Sequence, residues 1–257
     1  MKDYRGFSIE LAKEAGRIIK ANFVLGMKKE WKTDNTPLTE TDTQVNQLVI
    51  DAVKKEFPEH SVLAEEGNNF SEKSEYVWVC DPVDGTIPFS HGIPACVFSL
   101  ALVQNGESIL GVLYDPFLDR MLVAEKGKGA LLNSIPTRVS QRGELRGTLI
   151  GISWWKNELA NFFPLAETLD DKGVLITDIS SIGYMEMLVA MGEFGGTIFS
   201  GVKPHDTAAG KIIIEEAGGK VTNLFGEEQR YDRDIKGHIA SNGILHQELV
   251  DLFKSNR

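Results

Sequence analysis

The chain has 257 residues, enough for a full core and, at about 150 residues per domain, between one and two domains. Its 42% hydrophobic and 25% charged residues are those of an ordinary globular protein, and 27 basic against 37 acidic residues give a net charge of -10. That balance argues against a nucleic-acid-binding surface and against a polybasic membrane anchor as the main function.

Phe7, Leu11, Ala15, Ile18, Ile19 and Phe23 recur at helical spacing and predict a helix over residues 4–24. The polar stretch 28–39, with Asn35-Thr36-Pro37, reads as a loop. Val45, Leu48, Val49, Ala52, Val53 and Phe57 predict a second helix over 43–57, stopped by Pro58. Strands are predicted at 61–64 and 76–80, the latter ended by Asp81-Pro82. Segments 95–103 and 108–114 flank Gln104-Asn105-Gly106-Glu107 and predict an antiparallel hairpin; 120–126 and 129–132 predict another through Gly127. The remainder alternates. Strands are predicted at 148–153, 173–179, 196–199, 220–224 and 237–241, with helices at 157–170, 183–191, 206–217 and 244–254. Gly218-Gly219 would cap the helix over 206–217. The order predicts one layered α+β unit, or two packed halves with a break near residue 140.

The longest nearly unbroken apolar stretch, 95–103, is far short of the roughly 20 residues that span a bilayer. The opening Met1-Lys2-Asp3-Tyr4 is polar, without a signal-like apolar segment. Cys80 and Cys96 sit in apolar, strand-like runs and read as buried thiols, with no disulfide framework and no zinc spacing. These features predict a cytoplasmic protein without membrane or nucleic-acid partners.

Three acidic features fall just beyond predicted strands: Glu65-Glu66, Asp81, and Asp84 three residues later. A lone acid at such a place most often marks where a strand meets water. The segment Asp81-Pro82-Val83-Asp84-Gly85-Thr86 says more. Pro82 fixes a turn, Gly85 lets backbone pass close to a ligand, and Thr86 supplies a hydroxyl and an N–H at the start of a short helix. Two close carboxylates repel unless they share a proton or a cation. With no histidine or cysteine cluster beside them the donors are all oxygen, which favours magnesium or manganese over zinc. Asp206, opening Asp206-Thr207-Ala208-Ala209-Gly210, reads by itself as a plain helix N-cap.

Taken together the segments resemble the inositol monophosphatase family of magnesium-dependent, lithium-sensitive phosphatases. The first family motif, Asp-Pro-(Ile/Leu/Val)-Asp-Gly-Thr-x-x-Phe, stands here as residues Asp81 to Phe89. The second, Trp-Asp-x-Ala-Ala-Gly with a later Glu-Ala-Gly-Gly, stands as His205 to Gly210 and Glu216 to Gly219. The family's Glu-Glu pair is Glu65-Glu66, and its Thr-Glu-Thr-Asp stretch is Thr39 to Asp42. The four motifs occur in order over nearly the whole chain.

The resemblance implies a layered αβαβα sandwich of the inositol monophosphatase / fructose bisphosphatase type. Its N-terminal half would be 1–140 and its C-terminal half 141–257, in one compact unit. It implies a phosphoric monoester hydrolase, a homodimer, in which a metal-activated water attacks a small sugar, polyol or amino-alcohol phosphate directly. Glu65, Asp81 and the carbonyl of Val83 would hold one magnesium ion (Mg2+), and Asp81, Asp84 and Asp206 a second. Glu65 would help to hold a weaker third. Manganese (Mn2+) would substitute, and lithium (Li+) or calcium (Ca2+) would inhibit. Asp42 and Thr86 would orient and activate the water, with Glu65 the third catalytic residue, and the N–H groups of Gly85 and Thr86 would grip the phosphate.

Departures from the family pattern cluster where its members read the alcohol. His205 replaces the usual Trp, and Phe199 stands seven residues before Asp206, where inositol-reading members place a Glu. Tyr184, Met185 and Glu186 replace small residues after Gly183, and Lys203 adds a positive charge nearby. Tyr184, Phe199, Lys203 and His205 are therefore the candidate substrate contacts, with inositol 1-phosphate possible but not favoured. The alternatives are a 3′(2′),5′-bisphosphate nucleotidase or a histidinol-phosphate phosphatase of the same family. Outside it stand an aspartyl-phosphate enzyme of the haloacid dehalogenase type, whose Asp-x-Asp spacing is not matched, and a non-catalytic phosphate-binding regulator.

Overall fold

A computed structural model describes residues 2–32, 36–67, 74–154 and 159–256. Residues 33–35 of the predicted loop and residues 157–158 of the predicted helix lie outside the described residues.

Helix α1 (Tyr4–Asn22) starts where the Asp3 side chain accepts the Gly6 N–H at 2.8 Å, and it buries Leu11, Ala12, Ala15 and Ile19 along one face. Strands β1 (Lys29–Trp31) and β2 (Pro37–Thr39) pair antiparallel within the stretch read as a loop. β1 is largely exposed, so no apolar alternation announces it. Helix α2 (Glu40–Glu56) follows directly, its first turn tied back by the Thr39 N–H donating to Asp42 at 2.9 Å.

Strands β3 (Ser61–Ala64) and β4 (Tyr76–Asp84) run parallel to each other. β4 does not end at Cys80 as predicted. It continues through Pro82 to Asp84, and its pairing with the next strand shifts register between Asp81 and Asp84. A proline is tolerated at such an irregularity because no ladder bond is needed from it. A short helix α3 (Thr86–Ser90) leaves this end. Strands β5 (Val97–Gln104), β6 (Glu107–Asp115), β7 (Arg120–Glu125), β8 (Ala130–Leu132) and β9 (Ile135–Pro136) complete an antiparallel run. The β5–β6 turn is the predicted one: Asn105 and Gly106 both have positive φ, 51° and 82°, matching the twist of a two-residue hairpin.

The second half supplies β10 (Leu149–Ser153), α4 (Phe163–Asp171), β11 (Leu175–Thr177), α5 (Ile182–Ala190), β12 (Gly196–Phe199), α6 (Ala208–Glu216), β13 (Lys220–Thr222), β14 (His238–Ser241) and α7 (His246–Ser255). Two predicted helix starts move. α4 begins at Phe163, because Pro164 suits a first helical turn and residues 159–162 are not helical. α6 begins at Ala208, so Asp206 is not its N-cap; it ends a separate 3-10 turn, Pro204–Asp206. The predicted glycine stop holds: Gly219 N donates to Ile214 O and Gly218 N to Glu215 O, with Gly218 at φ 91°.

The larger sheet has the order β3-β4-β5-β6-β7-β8-β9 and the smaller β11-β10-β12-β14-β13. Three apolar clusters define five layers. α1 and α2 pack on one face of the large sheet, α5 and α6 lie between the two sheets, and α4 and α7 cover the far face of the small one. β5 shows why both faces are covered: Phe98, Leu100 and Leu102 join the α1–α2 cluster, while Val97, Ala101 and Val103 join the inter-sheet cluster. α6 lies so close to β6 that a Cβ on Gly111 would meet Ala209 O and Ile212 Cγ2 at 2.6 Å. The result is the αβαβα sandwich expected. Among the described residues no helix is long and apolar enough to cross a membrane.

Candidate active site

The large sheet, α2, α5 and the Pro204–Asp206 turn meet at the irregular end of β4. Asp42, third residue of α2, is completely buried. Its Oδ2 takes the N–H and hydroxyl of Thr39, which leaves Oδ1 facing the Thr86 hydroxyl at 3.0 Å. Thr86 Oγ1 lies equally 3.0 Å from the Val83 carbonyl. Its single proton serves one of these acceptors, and its lone pairs stay available to a water.

Asp84 lies at the N-terminus of α5. Its carboxylate accepts from Ser181 Oγ at 2.8 Å, from Ile182 N at 3.2 Å, and from Gly183 N. Burial pushes its carboxyl up to about 6, against the pull of those donors. Gly85 next to it has φ 97°, and a Cβ there would meet Ala95 O and Ser181 Cβ at 2.8 Å, so only glycine fits. Asp81 is 4% exposed and accepts the Val83 N–H at 3.0 Å. Burial, then the negative charges of Glu65, Asp84, Asp206 and Asp42, hold its carboxyl well above the usual range.

Glu65 and Glu66 leave the end of β3, and both are bridged by Lys32, at 2.7 Å from Glu65. Burial and Glu65 push the Glu66 carboxyl up to about 7, although Lys32 pulls the other way. Sequence reasoning missed Lys32, because it stands in the polar stretch beyond β1 and nothing local ties it to an acid 33 residues on. It missed Ser181 too, although a serine just before a helix is a readable N-cap.

Asp206 sits beside His205, whose Nε2 is 3.6 Å from Asp206 Oδ1; burial lowers the His205 imidazole from its ordinary value. His205 and Lys203 line a cleft of about 760 Å³ that also takes in Glu65, Pro204 and Tyr231. Lys203 reaches Asp234 at 3.6 Å. Tyr184 is half-buried against the inter-sheet core, and Phe199 is 3% exposed, within that core. The structure thus brings together Asp42, Thr86, Val83, Asp81, Asp84 and Gly85, with Glu65 and Asp206 near enough to raise Asp81. Phe199 and Tyr184 stand apart from the cleft lined by His205 and Lys203.

The acid set fits a hard divalent cation. Its donors are carboxylate and carbonyl oxygens, its charges are of one sign, and the cost of burying them together falls when a cation is present. Among the described residues no three acids or imidazoles already stand at closed ligand spacing; Asp42, Glu65, Asp81 and Asp84 are held by protein donors instead.

This fold and acid set are those of a phosphoric monoester hydrolase. The model of the inositol monophosphatase family matches residues 1–257, and the chain belongs to that family of metal-dependent phosphatases. It is 34% identical over 249 residues to a fructose-1,6-bisphosphatase/inositol-1-monophosphatase of Thermotoga maritima, covering 96% of this chain and 94% of the relative. A solved Thermotoga maritima IMPase superposes with a TM-score of 0.90 at 32% identity, over 99% of this chain and 98% of that one. A putative Nus factor SuhB of Neisseria meningitidis is 32% identical over 243 residues, 89% of this chain and 90% of its own. The inositol monophosphatase II of Staphylococcus aureus, solved with 2′AMP, has a TM-score of 0.81 at 28% identity, over 96% of this chain and 92% of that one. The same enzyme has been solved with inositol monophosphate.

Proposed function

We propose that the chain is a magnesium-dependent phosphomonoesterase that hydrolyses small phosphate esters by direct attack of water. The observation that carries this reading is the Asp42–Thr86 contact of 3.0 Å at the edge of the buried acid set. Asp42 and Thr86 hold and orient the attacking water. Gly85 and Thr86 present backbone N–H groups to the phosphate. Glu65, Asp81, the Val83 carbonyl, Asp84 and Asp206 would hold the cations. Magnesium, when bound, supplies positive charge to the phosphoryl oxygens and favours ionisation of water. Manganese substitutes, and lithium and calcium inhibit.

The substrate belongs to the same proposal. Phe199 packs into the inter-sheet core and does not itself reach the cleft, so the position where inositol-reading members place a Glu supplies no acceptor to a ring of hydroxyls, and an unmatched buried hydroxyl costs about 1–3 kcal/mol. Inositol 1-phosphate is therefore a poor substrate beside a less hydroxylated or partly apolar ester. A Staphylococcus aureus relative solved with both 2′AMP and inositol monophosphate supports a site that is permissive towards the alcohol. The test is phosphate release with magnesium over inositol 1-phosphate, fructose 1,6-bisphosphate, histidinol phosphate and adenosine 3′,5′-bisphosphate. Preference for inositol 1-phosphate by tenfold or more in kcat/KM overturns the reading of Phe199. Release from none of them overturns the activity itself.

A further inference from the structure

Behind the acid set lies a second buried group of titratable side chains that the mechanism above does not use. Glu186 of α5 and His238 of β14 are both completely buried. Glu186 Oε1 is 3.0 Å from His238 Nε2. Neither Glu186 oxygen nor that nitrogen has a hydrogen-bond partner elsewhere among the described residues.

The other side of the ring fixes which nitrogen carries the hydrogen when the ring is neutral. Gln229 Nε2 donates to the Gly237 carbonyl at 2.7 Å, so the Gln229 oxygen is the atom 3.1 Å from His238 Nδ1. An amide oxygen only accepts, so Nδ1 carries a hydrogen. In the neutral ring Nε2 is then bare, and the proton between Nε2 and Glu186 sits on the carboxyl. An ion pair here would bury two charges with a second carboxylate oxygen unmatched, which is unfavourable. The groups facing the pair agree with that. Asp84 and Asp206 add to burial in raising Glu186, while burial, His246 and Lys211 push His238 down to about 3.

The pair meets the segment that follows Asp206 at two places. A Cβ on Gly210, in the first turn of α6, would overlap the Glu186 carboxyl, so that glycine leaves room for it. On the other side Tyr231 Oη lies 3.1 Å from the Gln229 oxygen and 3.2 Å from the carbonyl of Thr207, the residue after Asp206; its one proton serves one of these acceptors, and the Thr207 hydroxyl, 3.4 Å away, is placed to donate to it. We propose that Glu186 is a positioning residue. Its protonated carboxyl donates to the bare Nε2 of His238, and the pair, through Gly210 and the Gln229–Tyr231–Thr207 chain, fixes the turn that carries Asp206. This rests on the metal site proposed above.

Two measurements test it. In the unaltered chain labelled with 15N-histidine, the His238 ring stays neutral with its proton on Nδ1 between pH 5.5 and 8.5; its signal is identified by loss in His238→Gln. An imidazolium in that range, or a proton on Nε2 of a neutral ring, overturns the proposal without any variant having to fold at Glu186. Manganese binding, followed by the resonance of the free ion, weakens at least tenfold in Glu186→Ala. In Glu186→Gln, whose amide N–H donates to Nε2, it stays within threefold of the unaltered protein. Equal binding by Glu186→Ala, or equal loss in Glu186→Gln, overturns the positioning role. An unaltered chain that takes up no manganese overturns the metal reading, and the role of Glu186 with it.

Discussion

Asp84 holds its charge against burial only because Ser181 and two backbone N–H groups of the α5 N-terminus point at it. Asp84→Asn keeps the shape, removes the charge and turns an NH2 group towards donors. Turnover at a magnesium concentration that saturates the unaltered enzyme is expected to fall about 100-fold or more, because a cation's charge is worth several kcal/mol in the transition state. Circular dichroism should show the fold retained; near-normal turnover would remove Asp84 from the cation site. Thr86 makes a finer comparison. Thr86→Ser keeps the hydroxyl between Asp42 and Val83 and should keep most activity. Thr86→Ala loses it, and kcat is expected to drop about 100-fold, within the general acid–base range.

α6 reaches the site from behind, and its contact with β6 depends on one missing side chain. Gly111→Ala places a methyl against Ala209 O and Ile212. The expected destabilisation is about 1–3 kcal/mol from overpacking, read from the denaturant midpoint, with activity falling further because the Asp206 turn moves with α6. An unchanged midpoint would mean that α6 sits less tightly on the sheet. What the sequence made legible at this scale was local. The Asn105-Gly106 turn, the apolar stripe of α1 and the Gly218-Gly219 stop each carry their whole signal within a few residues. The acids at 81, 84 and 206 were legible through short motifs in the same way. β1 was not, because an exposed ribbon has no apolar period. The last residues of β4 were not, because Asp81-Pro82 mimics a strand end and only pairing with β5 reveals the continuation. Lys32 and Ser181 were hidden as site residues because they reach Glu65 and Asp84 from 33 and 97 residues away.

For the whole molecule, the raised carboxyls set how stability varies with pH. A carboxyl raised in the folded state binds more protons there than when unfolded, so its contribution to stability falls as pH climbs through the folded value. Glu66, at about 7, makes the metal-free protein less stable as pH rises towards and through that value, and the raised carboxyl of Asp81 acts in the same direction. The buried histidines act oppositely but earlier. His238 and His246, pushed down to about 3 and about 4, contribute fully once pH passes their unfolded value near 6.5. Melting temperature without metal is therefore expected to decline between pH 6.5 and 8, and magnesium to raise it more at pH 8 than at 6.5. A flat profile, or an equal effect of magnesium at both, would disconnect these acids from the cation.

The acid set is drawn from both sheets' worth of chain: Asp81 and Asp84 end a strand of the first sheet, while the donors to Asp84 and the turn bearing Asp206 come with the second. Long loops must close before these groups meet, and that entropy is recovered only when the layers dock. Catalytic competence is thus a late event in folding and an early casualty of loosening. In rising urea, turnover should disappear before the far-ultraviolet helical signal, since each sheet can keep its own ladders after the seam between them has opened.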